Sequence, residues 1–178
     1  MTVEIIAIIA IAAYCLSAGL WVFRQNSGLS SVFPQAFALL ALFAHALSHA
    51  VFWRMNQGPD VHFFAALSWT ALAMAVITAA LTARRPLSAL GILVYPIAAL
   101  SLLAYWRWGN HVPNTHDWRL KLHASFALLA YASLSIASLI AMLYWLQDRA
   151  LRRRHLQGWL CALAPLVQTE QLVFKTVG

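Results

Sequence analysis

Residues 37–52 read FALLALFAHALSHAVF, a run with no charged side chain that holds two histidines, His45 and His49, four positions apart. On a helix that spacing places both imidazoles on one face, a turn apart. Apolar runs of this kind recur near residues 3–23, 35–52, 63–82, 87–105 and 122–146. About 20 residues at 1.5 Å rise cross a hydrocarbon core roughly 30 Å thick, so each run is long enough to span it. The sequence predicts an all-α fold, a polytopic transmembrane helix bundle with five complete spans in a single transmembrane domain over 1–178.

Composition points the same way. The chain is 62% hydrophobic and 10% charged, with a mean hydropathy of +0.72. A soluble domain carries about 25% charged residues. The net charge of +7 would suggest nucleic acid in a soluble protein. Here the cations fall in short segments between apolar runs, so topology and anionic lipid explain them and no nucleic-acid partner is expected. With the N-terminus outside, the inner segments carry Arg24, Arg84, Arg85, Arg149, Arg152, Arg153 and Arg154, against Arg54, Arg107, Arg119 and Lys121 outside. That excess predicts a bacterial inner membrane protein with a periplasmic N-terminus and a cytoplasmic basic segment and tail, 147–178. Trp21, Trp53, Trp106, Trp108 and Trp145 fall at predicted helix ends, as an aromatic belt requires.

Glu4 and the lack of a basic residue before the first run argue for a retained first helix rather than a cleaved signal. Cys15 and Cys161 lie in apolar surroundings and form no Cys-x-x-Cys pair, so both read as small hydrophobes. After the basic segment, the apolar residues of 170–178 look like the start of a sixth helix. Nine residues reach only about 13 Å as a helix. The expectation is an interfacial tail or, more in keeping with the pattern, a truncated segment of a longer design.

A histidine at membrane depth is costly and by default marks a metal, a cofactor or a proton path. In this topology His49 lies near the outer surface, His45 a turn deeper, and His123 at similar depth at the start of the fifth run. His62, His111 and His116 fall on the same side, in connections that read as solvated, and His155 on the other. Haem iron held by two imidazoles needs one on each side of the porphyrin. His45 and His49 share a helix face, so one of them must pair with a histidine from another helix. His123 is the best partner by depth.

The residues therefore nominate non-covalent, b-type haem, held by His123 together with either His45 or His49. Arg54, Arg107, Arg119 or Lys121 would neutralise the propionates. Trp53, Trp69, Trp106 and Trp108 would supply flat apolar surface. Two other uses remain open. His-x-x-x-His is a half-site for zinc or copper, which would make the chain a small metal- or proton-conducting transport component. A structural membrane subunit would use the same histidines to pack helices. No nucleophile with a base, paired carboxylates or phosphate loop is present, so no enzymatic turnover is expected. Ser133, Ala137 and Ala141 form a small-residue face on the fifth span, expected to pack closely on a neighbour.

The stretch Leu122-His123-Ala124-Ser125-Phe126-Ala127-Leu128-Leu129-Ala130-Tyr131-Ala132, running on to Tyr144-Trp145-Leu146-Gln147 and a basic tail, resembles the cytochrome c assembly family. CcsA- and CcmC-type haem-handling membrane proteins belong to it, and the chain looks closest to the YpjD/HemX-like branch. Ala44-His45-Ala46-Leu47, Val94-Tyr95-Pro96, and Pro165-Leu166 followed by Glu170 and Phe174 are similar to that branch too. The resemblance implies haem binding in the membrane for cytochrome c maturation or related haem handling, beside other assembly or membrane subunits. It maps the membrane histidine ligands to His45 and His123 and gives His49 no counterpart. Trp106-Arg107-Trp108-Gly109 and Asp117-Trp118 are only faintly similar to the tryptophan-rich outer motif of CcsA and CcmC, which speaks against haem presentation. Members of the branch also continue through further helices.

Overall fold

The computed structural model describes residues 2–27, 30–55, 62–84, 88–109 and 118–152. They form five helices: α1 (Thr2–Ser27), α2 (Val32–Met55), α3 (Phe63–Arg84), α4 (Ser88–Trp108) and α5 (Trp118–Arg152). All five are long and apolar enough to cross a membrane. The chain is an all-α, multi-pass membrane protein, as its composition requires. Residues 153–178, including Cys161, His155 and the basic tail, lie outside the described residues, as do His111 and His116.

Local chemistry sets the helix starts. The backbone N–H of Val32 donates to Ser30 Oγ at 3.3 Å, a capping interaction at the start of α2. At α3 the cap is a histidine: Nδ1 of His62 accepts the backbone N–H groups of Phe64 and Ala65 at 3.1 and 3.2 Å. His62 is therefore half-buried and structural, not a solvated loop residue. The ends differ from expectation where polar residues tolerate helix. α4 runs on to Trp108, and α5 begins at Trp118, so Trp106 and Trp108 stand on a helix. Thirty-five residues of α5 measure about 52 Å, well beyond the hydrocarbon core, so its basic end projects past the apolar layer.

α1 packs on α2 and α4, and α3 packs on α2 and α4, closing a ring of four helices; α5 lies outside that ring against α3. Consecutive helices alternate in direction, which gathers the start of α1, the end of α2, the start of α3 and the end of α4 at one end. There Ala10, Ala44, Ala65, Leu102 and Tyr105 form a cluster. At the opposite end Leu143 of α5 packs with Ala89 and Leu90. The main core is built from alanines at helix contacts (Ala13, Ala38, Ala41, Ala75, Ala98) around Tyr14, Trp21 and Tyr95. Small residues let backbones approach closely where lipid offers helices no hydrophobic reason to associate. Large side chains such as Phe43 and Leu100 point outward, as lipid-facing positions do.

Two expectations need correction. Ser133, Ala137 and Ala141 are exposed, and α5 uses Ala132, Ile136 and Leu143 for packing instead. Trp21 is not a belt residue: it is 1% exposed, locked in the core. A Cβ on Gly91 would meet the Trp21 ring at 2.9 Å and the Tyr95 ring at 3.0 Å, both enclosed and unable to yield. Gly91→Ala should therefore cost about 1–3 kcal/mol by overpacking. Gly19→Ala, with open space around it, should be neutral or mildly stabilising. Thermal unfolding of both variants in detergent checks this; equal midpoints would refute it.

Candidate functional site

His45 and His49 are fully buried, facing into the four-helix ring. Their shared face, read from the spacing, is what turns both inward together. The rings stack at 5.3 Å between centroids, 20° from parallel. Each of the other ring helices then contributes a group. From α1, the Tyr14 hydroxyl lies 3.2 Å from His45 Nδ1. From α3, Ser68 Oγ stands between the imidazoles, 2.9 Å from His45 Nε2 and 3.0 Å from His49 Nε2. Tyr14 and Ser68 are themselves 0% exposed. The result is a continuous buried chain, Tyr14–His45–Ser68–His49.

Flat rings enclose the outer half of this chain. Trp69 and Tyr105 lie 4.6 and 4.8 Å from the His49 ring, both tilted about 30° to it. Trp53 stacks on Trp69 at 5.1 Å. Tyr105 in turn lies beside His62 at 5.8 Å and meets Phe52 at its edge. Gly109, just past α4, comes close enough that a Cβ there would lie 3.4 Å from His62 Nε2. The histidine end is thus a column of aromatic rings running from His49 to the end of the bundle.

The two interior imidazoles differ in what they can still bind. Both nitrogens of His45 are occupied by hydrogen bonds. His49 uses only Nε2, and its Nδ1 is buried with no hydrogen-bond partner. Burying a polar nitrogen unsatisfied costs about 1–3 kcal/mol. That makes His49, not His45, the imidazole with a donor position to offer.

His123 lies at the same end of the bundle as expected, because it sits roughly 30 Å along α5 from Leu143. It does not meet His45. It is exposed on a helix outside the ring, and among the described residues no hydrogen bond or ring contact joins it to His45 or His49. The physical reason is the closure of α1–α4: the histidine face of α2 turns to the centre while α5 packs behind α3. Arg54, Arg107 and Arg119 are exposed near this end, Arg119 over the Trp118 ring at 5.7 Å. Trp53 belongs to the aromatic column; Trp106 and Trp108 are 38% and 61% exposed, with Trp108 against Phe64. The side chain of Lys121 is outside the described set.

Sequence reasoning missed Tyr14, Ser68 and Tyr105. Each was visible as a hydroxyl inside an apolar run, but nothing in a single run says which neighbour it faces. Among the described residues no group of three or more His, Cys, Asp or Glu converges as a metal site, so nothing there completes the His45/His49 half-site. The donor set does suit haem in kind: a buried imidazole nitrogen without a partner, flat rings around it, and guanidinium groups at the adjacent end.

A model of the family described as Cytochrome C assembly protein matches residues 31–178, and the chain belongs to that family. No curated protein and no solved structure matches it. The matched region begins before α2 and takes in the whole of α2–α5, hence both histidine-bearing helices.

Proposed function

We propose that this chain binds b-type haem non-covalently at the histidine end of its bundle and handles it for cytochrome c assembly, without catalysing a reaction of its own. The observation that carries the reading is the buried Nδ1 of His49, which has no hydrogen-bond partner, in a protein of the cytochrome c assembly family. His49 would be the inner ligand. His123 is exposed at the same end but on α5, outside the ring that encloses His49, so this packing does not pair the two. His45 holds its neighbour through Ser68 rather than offering a nitrogen. Trp69, Tyr105 and Trp53 give apolar ring surface, and Arg54, Arg107 and Arg119 would pair with propionates. Haem, when bound, supplies the iron porphyrin that a c-type cytochrome receives. Its partners are haem, the bilayer and other assembly subunits of the membrane.

An absorption spectrum of the detergent-purified protein tests this directly. A sharp Soret band with split visible bands on reduction is expected. Zinc or copper at one equivalent with no haem would refute it in favour of metal transport.

The arginine balance supports a site at the outer face of a bacterial inner membrane, with a periplasmic N-terminus. A reporter fused after Arg152 should therefore read as cytoplasmic. A periplasmic signal would invert the topology and move the histidine end to the cytoplasm.

A further inference from the structure

We infer that Ser68 is a positioning residue that forces His45 and His49 into opposite tautomers, so that whatever engages His49 Nδ1 also sets the direction of the Tyr14–His45 hydrogen bond. The argument starts from one proton. A serine hydroxyl carries a single hydrogen and two acceptor lone pairs. The Ser68 oxygen has Nε2 of His45 at 2.9 Å and Nε2 of His49 at 3.0 Å, in a pocket where Ser68 itself is 0% exposed. Several α-helical hydroxyls in this chain turn back to their own backbone, Thr70 to the carbonyl of Ala66 and Ser101 to that of Ile97, whereas Ser17 crosses from α1 to the carbonyl of Pro34. Ser68 likewise directs its hydroxyl across to α2.

Its hydrogen goes to one imidazole, which must accept through an Nε2 lone pair. The other imidazole then fills the serine lone pair by donating its own Nε2–H. Two arrangements satisfy both bonds with every group neutral. In one, Tyr14 donates to His45 Nδ1, His45 Nε2–H donates to Ser68, Ser68 donates to His49, and His49 carries its hydrogen on Nδ1. In the other, His49 Nε2–H donates to Ser68, Ser68 donates to His45, and His45 Nδ1–H donates to the Tyr14 oxygen. Each arrangement holds the same number of protons, so neither adds nor removes charge in the bundle.

Only the second leaves an electron pair on His49 Nδ1. An electron-pair acceptor at that nitrogen therefore selects it, fixing His45 one residue-turn away and the phenol of Tyr14 on another helix. This last step rests on the reading of His49 as a ligand; the opposition of tautomers does not.

Nitrogen-15 spectroscopy of histidine-labelled full-length protein in detergent tests the inference, with His45→Gln and His49→Gln supplying the assignments. In the haem-free protein the two imidazoles should show complementary protonation, one at Nδ1 and the other at Nε2. Ser68→Thr, which keeps the hydroxyl, should preserve the pattern, and Ser68→Ala should lose it while the protein stays folded by circular dichroism. Both imidazoles in the same tautomer in the unsubstituted protein would overturn the inference. Zinc protoporphyrin, diamagnetic and taking one axial nitrogen, then supplies the second arm. On binding, His45 should move wholly to the Nδ1–H form. Complementary tautomers without porphyrin binding would support Ser68 and refute the haem reading. Binding that leaves His45 and His49 uncorrelated would refute Ser68 alone.

Discussion

His49→Ala purified in detergent is expected to carry no haem, while His45→Ala keeps a haem spectrum with weakened affinity. The difference follows from which nitrogens are engaged. His49 Nδ1 is buried with no hydrogen-bond partner. His45 spends both nitrogens on Tyr14 and Ser68. Removing a primary ligand abolishes coordination; removing a group that orients one typically costs about 10–100-fold in affinity. His45→Ala should fall in that second range by haem titration. A His49→Gly protein should recover a Soret band on addition of imidazole, because the cavity left between Trp69 and Tyr105 matches the ring removed. His123→Ala should leave haem bound, because His123 lies on α5 outside the ring that encloses His49. A full Soret band in His49→Ala together with its loss in His45→Ala would reverse the assignment and restore His45 as the ligand that the family resemblance implies.

The separation of His45 from His123 shows what the sequence carries and what it omits. The five spans and the inward pairing of His45 with His49 are properties of single segments, set by run length and helical period, and both were legible. The partnering of helices was not. In a soluble bundle an apolar stripe tells which face is inside. Here α3 and α4 are apolar on every side, because lipid replaces water, so no stripe marks the neighbour. Ser133, Ala137 and Ala141 of α5 looked like a packing face and are exposed, while Ala132, Ile136 and Leu143 on another face do the packing. Depth could be read for His123, since it depends only on position along a helix. Its separation from His45 could not, since that depends on α1 and α4 closing the ring on the opposite side. Trp21 failed for a similar reason: a tryptophan near a helix end is a belt anchor only if nothing packs over it, and α4 offers it the gap above Gly91.

The same buried chain predicts a stability pattern that separates an integrated network from scattered polar residues. His45→Leu should destabilise the protein by about 1–3 kcal/mol, because it strands the Tyr14 hydroxyl in a closed interior, while Ser68 keeps His49 as its partner. The volume change is small, so packing contributes little. Hydrogen bonds between membrane helices average only about 0.6 kcal/mol, since helices separated in lipid find other partners. Burial decides the case here. Tyr14 is 0% exposed, so neither water nor lipid headgroups can reach its orphaned oxygen. Adding Tyr14→Phe to His45→Leu should therefore recover about 1 kcal/mol, because deleting both partners of a buried bond is far cheaper than deleting one. Taken alone, Tyr14→Phe should cost less than His45→Leu, since Ser68 keeps its hold on the histidine. Unfolding of the three variants in one detergent measures the coupling directly. Strict additivity, with the double variant as damaged as the sum of the singles, would mean that Tyr14 and His45 do not share a bond, and the interior chain would lose its first link.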